Sequence, residues 1–213
     1  MKLYFSSYRI PKPEDLLALI EKPAEKIAAG IITNAKDLKP EEERVQKLED
    51  VKNYLTNLGI SRSVFIDLRQ YEDTTQMGRA LTRFDMLFVA GGNSFVLNDT
   101  MAKTGFKAIA RTLLEAGVCY VGESAGAVVA GPSLVGFELM DDANQVGDLQ
   151  RTGLEIIPQI IVPHNDSPDE RYVGRAAHIQ VRNPGVEVIA LNDNQAYIVH
   201  NSTARTVAAP VHA

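Results

Sequence analysis

The sequence predicts an α/β fold, a three-layer sandwich in which helices cover both faces of a mostly parallel sheet. Three observations predict it. Short continuous apolar runs such as DMLFVAGG and GVCYVGES read as strands buried on both faces. Along the chain these runs alternate with segments of helical periodicity, which is the pattern of a parallel sheet. Two glycine turns, Gly91-Gly92 and Gly122 to Gly126, follow such runs, and this architecture keeps its functional loops at those strand ends.

The elements follow in order. KLYF (Lys2 to Phe5) and KIAAGIITNA (Lys26 to Ala35) read as strands or strand ends. KPEEERVQKLEDVKNYLTNLG carries the clearest helix. Pro40 stands near its start, acids fill its first turn, Val45, Leu48, Val51, Tyr54 and Leu55 recur at helical spacing, and Gly59 lies past its end. RSVFIDLR is a strand, Asp73 to Thr82 a helix, DMLFVAGGNSF a buried strand, and Val96 to Ala116 one long helix leading to the strand of VCYVGESAG. In the last third, GLEIIPQIIVPHND contains a strand and Pro168 to Val181 a helix. VEVIALNDNQAYIVHNSTARTV holds further strands, with a hairpin turn at Asn192 to Asn194. No repeat, linker or low-complexity block interrupts the series, so residues 1–213 read as a single domain.

Composition narrows the function classes. Of 213 residues, 45% are hydrophobic and 23% charged, as in ordinary globular proteins, and the formal net charge is -5. An acidic chain without a Lys/Arg cluster argues against nucleic acid as a partner. The N-terminal apolar patch is soon broken by Arg9, Lys12, Glu14 and Asp15, which argues against a leader or a membrane span there. Cys119 is the single cysteine, so no internal disulfide can form, and a reducing, cytoplasmic location is expected. In its apolar run, Cys119 reads as a core residue.

Chemistry concentrates in Gly122-Glu123-Ser124-Ala125-Gly126, a G-x-S-x-G pattern between an apolar run and a small-residue stretch. Such an elbow needs small residues on either side because the strand-to-helix turn is tight, and its strain presents the serine Oγ. Ser124 is therefore the candidate nucleophile. It needs a base, and among four histidines His164 stands out, because QIIVPHND runs a strand into a polar loop. His178 lies in a presumed helix, His200 at a strand end and His212 in the C-terminal tail. For the acid that orients the base, FELMDDANQ offers Glu138, Asp141 and Asp142, and chemistry alone does not choose among them. Gly91, Gly92 and Asn93 form a second turn. A free N–H there could join that of Ala125 in an oxyanion hole, or the turn could be a plain connection with Asn93 or Ser94 as helix cap.

A strand ending in GGN, then G-x-SAGA, then MDD, then an apolar strand ending in PH together resemble the dipeptidase E (aspartyl dipeptidase) family of serine peptidases. These blocks run from Gly91 to His164, about a third of the chain. The resemblance implies a flavodoxin-like, class I glutamine amidotransferase-like fold and a Ser–His–Asp/Glu site that uses neither metal nor organic cofactor. It implies Ser124 as nucleophile and His164 as base. Spacing within the family favours Asp142 as the acid, with Asp141 and Glu138 as alternates. It also implies Gly92 and Ala125 as oxyanion donors, Gly91 and Asn93 as substrate-binding, and Arg171 as holder of a substrate carboxylate. The implied partner is a short peptide, not a nucleic acid or a membrane, and a homodimer is compatible with the family. Glu123 departs from the small or aromatic residue expected there and adds negative charge that would disfavour an acidic substrate. The competing readings are an α/β-hydrolase-like esterase, since GESAG also suits a carboxylesterase elbow, and a non-catalytic binding protein on the same scaffold.

Overall fold

The computed structural model describes residues 1–210, so His212 lies outside the described residues. Among the described residues nine strands form a seven-stranded sheet ordered β3-β2-β4-β5-β1-β8-β9 and a two-stranded sheet β6-β7. The strands are β1 (Lys2–Ser6), β2 (Ala28–Ile32), β3 (Arg62–Ile66), β4 (Met86–Val89), β5 (Cys119–Glu123), β6 (Ile160–Val162), β7 (Val188–Ala190), β8 (Gln195–His200) and β9 (Thr203–Ala208). The first five pair in parallel, and β8 and β9 add antiparallel strands beside β1. This is the α/β three-layer architecture that the sequence predicts.

Side-chain alternation along the strands divides the core between the two faces. Leu3, Phe5, Leu87, Val89 and Tyr120 point to one face, where they meet α3 (Thr74–Leu81), α4 (Ser94–Lys103), α5 (Phe106–Glu115), the short α6 (Ala125–Val128) and α7 (Arg175–Arg182). Tyr4, Met86, Phe88, Cys119 and Val121 point to the other, against α1 (Pro13–Ile20) and α2 (Glu41–Asn57). With both faces covered, β4 and β5 are buried throughout, hence their unbroken apolar runs. Cys119 is fully buried, and burial pushes its thiol up to about 12, in keeping with a core role.

Several expected elements differ. The helix read as Val96 to Ala116 is two helices, because Gly105 adopts a left-handed φ of 78° and turns the chain between them. The helix read from Pro168 begins only at Arg175, behind Gly174 with φ 70°. The helix α1 lies in a segment whose periodicity was masked by Pro11 and Pro13. Asn192 to Asn194 is no hairpin turn. β7 pairs in parallel with β6, β8 crosses to β1, and the hairpin lies instead between β8 and β9.

The register gathers the functional loops. Ser6 pairs with Glu123, Val89 with Gly122 and Ile32 with Val89, so the carboxyl ends of β1, β2, β4 and β5 are level. The loops that leave them lie side by side, as expected for ligand sites of open parallel sheets.

Candidate active site

β5 runs straight into Ser124, whose φ of 50° and ψ of -109° are rarely adopted by a residue with a Cβ. Such backbone costs on the order of 1–3 kcal/mol and persists only where the surroundings enforce it. Here they do. A Cβ on Gly122 would lie 2.5 Å from the Gly126 carbonyl oxygen, and one on Gly126 would lie 2.2 Å from that of Val89. Backbone therefore packs directly on backbone at both flanking positions. The Ser124 N–H donates to the Ser6 carbonyl at 2.9 Å, and the buried Tyr120 hydroxyl donates to the Gly126 carbonyl at 2.7 Å.

The turn delivers Ser124 Oγ to within 2.9 Å of His164 Nε2. His164 follows β6 with φ 58°, and its Nδ1 lies 2.6 Å from Asp193 Oδ1 in the loop between β7 and β8. With Nδ1 protonated and donating to the carboxylate, Nε2 is left to accept the serine proton. Ser7, just past β1, braces this chain. Its hydroxyl accepts from the His164 N–H at 2.6 Å and donates to Asp193 Oδ1 at 2.7 Å. The Tyr172 ring lies 4.9 Å from the imidazole and covers one side of it.

The structure thus brings Ser124 and His164 together, and the carboxylate that meets His164 Nδ1 is that of Asp193, whereas the three candidate acids make other contacts. Asp142 is exposed, and its carboxylate accepts from Asn144 N–H at 3.0 Å and Gln145 Nε2 at 2.7 Å, forming a local turn cap away from the imidazole. Asp141 is bound to Ser94 through both its N–H (2.9 Å) and its hydroxyl (2.7 Å), and burial nonetheless raises its pKa. Glu138 pairs with Arg151 at 2.7 Å. Asp193 was missed because LNDN reads as turn chemistry. The available signal was its place after an apolar run, the same criterion that selected His164.

The second turn is divided in a useful way. Gly91 N–H donates to Glu123 Oε2 at 3.3 Å, Gly91 carbonyl accepts from Lys36 Nζ at 2.5 Å, and Asn93 N–H donates to the Ala35 carbonyl at 2.8 Å. Between them the Gly92 N–H has no hydrogen-bond partner among the described residues, and neither has that of Ala125. Gly92 is obligatory, with φ 153° and a Cβ position 2.1 Å from the Ala35 carbonyl oxygen. Asn93 is engaged elsewhere. Its Oδ1 caps α4 at Phe95 and Val96, and its Nδ2 donates to the Asp142 carbonyl at 2.9 Å. Arg171 is exposed, and its guanidinium pairs with Asp169 at 2.6 Å.

Glu123 also differs from expectation. It is buried, and besides Gly91 its carboxylate accepts from the Arg9 N–H at 2.9 Å. It therefore ties two loops together beside the serine. Beyond it opens a cavity of about 350 Å³ that reaches Ser124, His164, Gly91 and Gly92.

Known proteins resemble this chain in sequence and in fold. An uncharacterized peptidase of Pasteurella multocida is 30% identical over 127 residues, covering 55% of this chain and 60% of that protein. A protein named peptidase E from Streptomyces coelicolor is 33% identical over 104 residues, covering 49% of this chain and 42% of its own length. The chain spans about half the length of the curated relatives it matches. Among solved structures, a protein assigned to peptidase E from Listeria monocytogenes superposes with a TM-score of 0.80 at 21% identity, covering 98% of both chains, a likeness of fold. The family model of peptidase family S51 matches residues 40–207, from the start of α2 into β9. Most of the sheet and both glycine turns fall within that match, and the chain belongs to peptidase family S51.

Proposed function

We propose that the protein is a serine-type peptidase of short peptides, with Ser124 as nucleophile, His164 as general base and Asp193 as the acid that orients it. The observation that carries this reading is the continuous contact from Ser124 Oγ to His164 Nε2 at 2.9 Å and from His164 Nδ1 to Asp193 at 2.6 Å, on a strained elbow. Ser124 Oγ attacks the scissile carbonyl while its proton passes to Nε2. The carbonyl oxygen becomes an oxyanion held by the N–H groups of Gly92 and Ala125. As the C–N bond breaks, Nε2 returns the proton to the leaving amine, and a water then hydrolyses the acyl-enzyme by the same transfers in reverse order. Asp193 holds the tautomer and stabilises the imidazolium. A cavity of about 350 Å³ at the serine suits one or two residues, which favours short peptides and a dipeptidase limit. The unpaired, buried Cys119 suits a reducing, cytoplasmic setting.

A fluorophosphonate probe tests the chemistry. It is expected to add once, on the tryptic peptide that carries Ser124, and to stop hydrolysis of a dipeptide panel in proportion to labelling. Labelling elsewhere, or full labelling with undiminished hydrolysis, refutes the reading. Gly92→Ala tests the hole. A Cβ there must displace the Ala35 carbonyl and so moves the free N–H, and kcat is expected to fall about 10²-fold while KM changes little, as when an oxyanion donor is lost. Steady-state kinetics on a cleaved dipeptide measures both constants.

A further inference from the structure

The free Gly92 N–H does not stand alone. The residues on either side of it are gripped by one short turn, Asn34–Lys36, which leaves the end of β2. The Ala35 carbonyl accepts from the Asn93 N–H at 2.8 Å, and Lys36 Nζ donates to the Gly91 carbonyl at 2.5 Å. The turn is itself fixed. Asn34 is fully buried, its Oδ1 accepts from the Leu68 N–H at 3.1 Å, and its Nδ2 donates to Asp67 at 2.9 Å and to Asp37 at 3.2 Å. The loop after β2, which pairs with β4, therefore sets where the Gly92 N–H points.

Lys36 does more than hold. The Gly91 carbonyl and the Gly92 N–H are the two ends of one peptide group, whose resonance moves electron density from nitrogen to oxygen. An ammonium on that oxygen favours the charge-separated form, so the N–H at the other end becomes more positive and a stronger donor. Lys36 is half-buried, and among the described residues its ammonium has this carbonyl as its single hydrogen-bond acceptor. Its charge is thus directed onto the peptide that carries the free donor.

We infer that Lys36 is a positioning residue for the reaction of Ser124, acting through the Gly91-Gly92 peptide to orient and polarise the Gly92 N–H that receives the oxyanion. This role rests on the reading that the Gly92 N–H is an oxyanion donor. Titration of the cation gives the role a signature. Around Lys36 stand Tyr8 and Arg9 after β1, Lys39 of its own loop, Lys47 and Asp50 from α2, Glu123 at the end of β5 and His164 after β6. Burial lowers the Lys36 pKa, Glu123 opposes that change, and Arg9, Lys47 and Lys39 add to it. The polarising cation is present below that lowered pKa and is lost as pH rises through it.

Phosphonylation by an uncharged alkyl fluorophosphonate reads the hole without a peptide. Ser124 Oγ attacks phosphorus while its proton passes to His164 Nε2, fluoride leaves, and the phosphoryl oxygen takes the place of the oxyanion. The labelling rate constant of Lys36→Met is expected to lie about tenfold below wild type, less than the loss of a whole donor costs, whereas Lys36→Arg keeps a cation and should stay within about threefold. Across the alkaline range wild type is expected to fall from the level of Lys36→Arg toward that of Lys36→Met, while both variants stay flat. Circular dichroism checks that each variant folds, and the wild-type profile is measured without either. Lys36→Met labelled as fast as wild type, Lys36→Arg as slow as Lys36→Met, or an alkaline fall that persists in Lys36→Met overturns the inference. These rates decide it whether or not peptides are cleaved. A protein phosphonylated at Ser124 that hydrolyses no dipeptide overturns the peptidase reading alone, and Lys36→Met that labels and cleaves at wild-type rates overturns the role of Lys36 alone.

Discussion

Ser124→Ala is expected to lower kcat/KM on any cleaved peptide by about 10³-fold or more, and Asp193→Asn by about 10²- to 10⁴-fold, as for nucleophile and orienting acid in serine hydrolases. The two losses have different origins. Removing Oγ abolishes the covalent step, and what remains comes from binding and the hole. An asparagine at 193 keeps the size of the side chain but can present its amide N–H to His164 Nδ1, which favours the wrong tautomer and leaves Nε2 protonated and unable to accept the serine proton. The loss should therefore fall on kcat while KM stays close to wild type. Asp142→Asn is the contrast, because that carboxylate is exposed and serves only its own turn, and it should change kcat/KM by less than about threefold, as surface substitutions away from a site do. A large loss in Asp142→Asn with none in Asp193→Asn would return the role to the loop after the elbow.

Gly126→Ala is expected to destabilise the protein by about 3 kcal/mol, at the upper end for overpacking a well-filled interior. A methyl at this position meets the Val89 carbonyl oxygen at 2.2 Å and the Val89 Cβ at 2.9 Å. The first of these is backbone of a central strand, held in register with its neighbours on both sides, and it cannot swing aside. Relief must come from lifting α6 off the sheet, which also relaxes the turn at Ser124. Urea unfolding followed by circular dichroism reads the change as a lower midpoint. Gly78→Ala, in the interior of α3 with nothing within 4 Å of the new methyl, should instead gain about 0.5–1 kcal/mol from helix propensity. Equal effects of both substitutions would refute the packing argument.

The contrast between these glycines also explains what a reader of the sequence can and cannot see. The elbow was legible because its demands are local: small residues at Gly122 and Gly126, an apolar strand before them, a short helix after. His164 was legible for the same reason, at the end of an apolar run. Asp193 was not, because Asn192 to Asn194 satisfies the rules for a turn, and only the pairing of β7 with β6 and of β8 with β1 carries that loop to the imidazole. Such pairings are long-range and leave no mark in the residues of the loop. Ser7 was invisible too, since a serine after a strand has no distinctive neighbours until His164 and Asp193 close on it. Glu123 shows a further limit. Sequence counts its charge but not the two N–H groups that hold its carboxylate in place between two loops. Among the helices, Asp73 to Thr82 could be placed closely, because Asp73 caps the first turn through Gln76 N–H at 2.7 Å. Val96 to Ala116 could not, because the left-handed turn at Gly105 that divides it is set by the packing of the two helices and not by their periodicity.

The division of the strands into two sheets has a consequence for how such a site can change. Ser124 and the free N–H groups of Gly92 and Ala125 stand at the end of the seven-stranded sheet, while His164 and Asp193 stand at the ends of the two-stranded one, and Ser7 fastens the second pair to the first. In the proposed mechanism attack and proton transfer are thus housed on separate platforms, with a hydroxyl as the pin between them. Drift in the small sheet can misalign or erase His164 and Asp193 while leaving Ser124, the free N–H groups and the adjoining cavity intact, so that a descendant loses turnover and keeps a peptide-sized receptor.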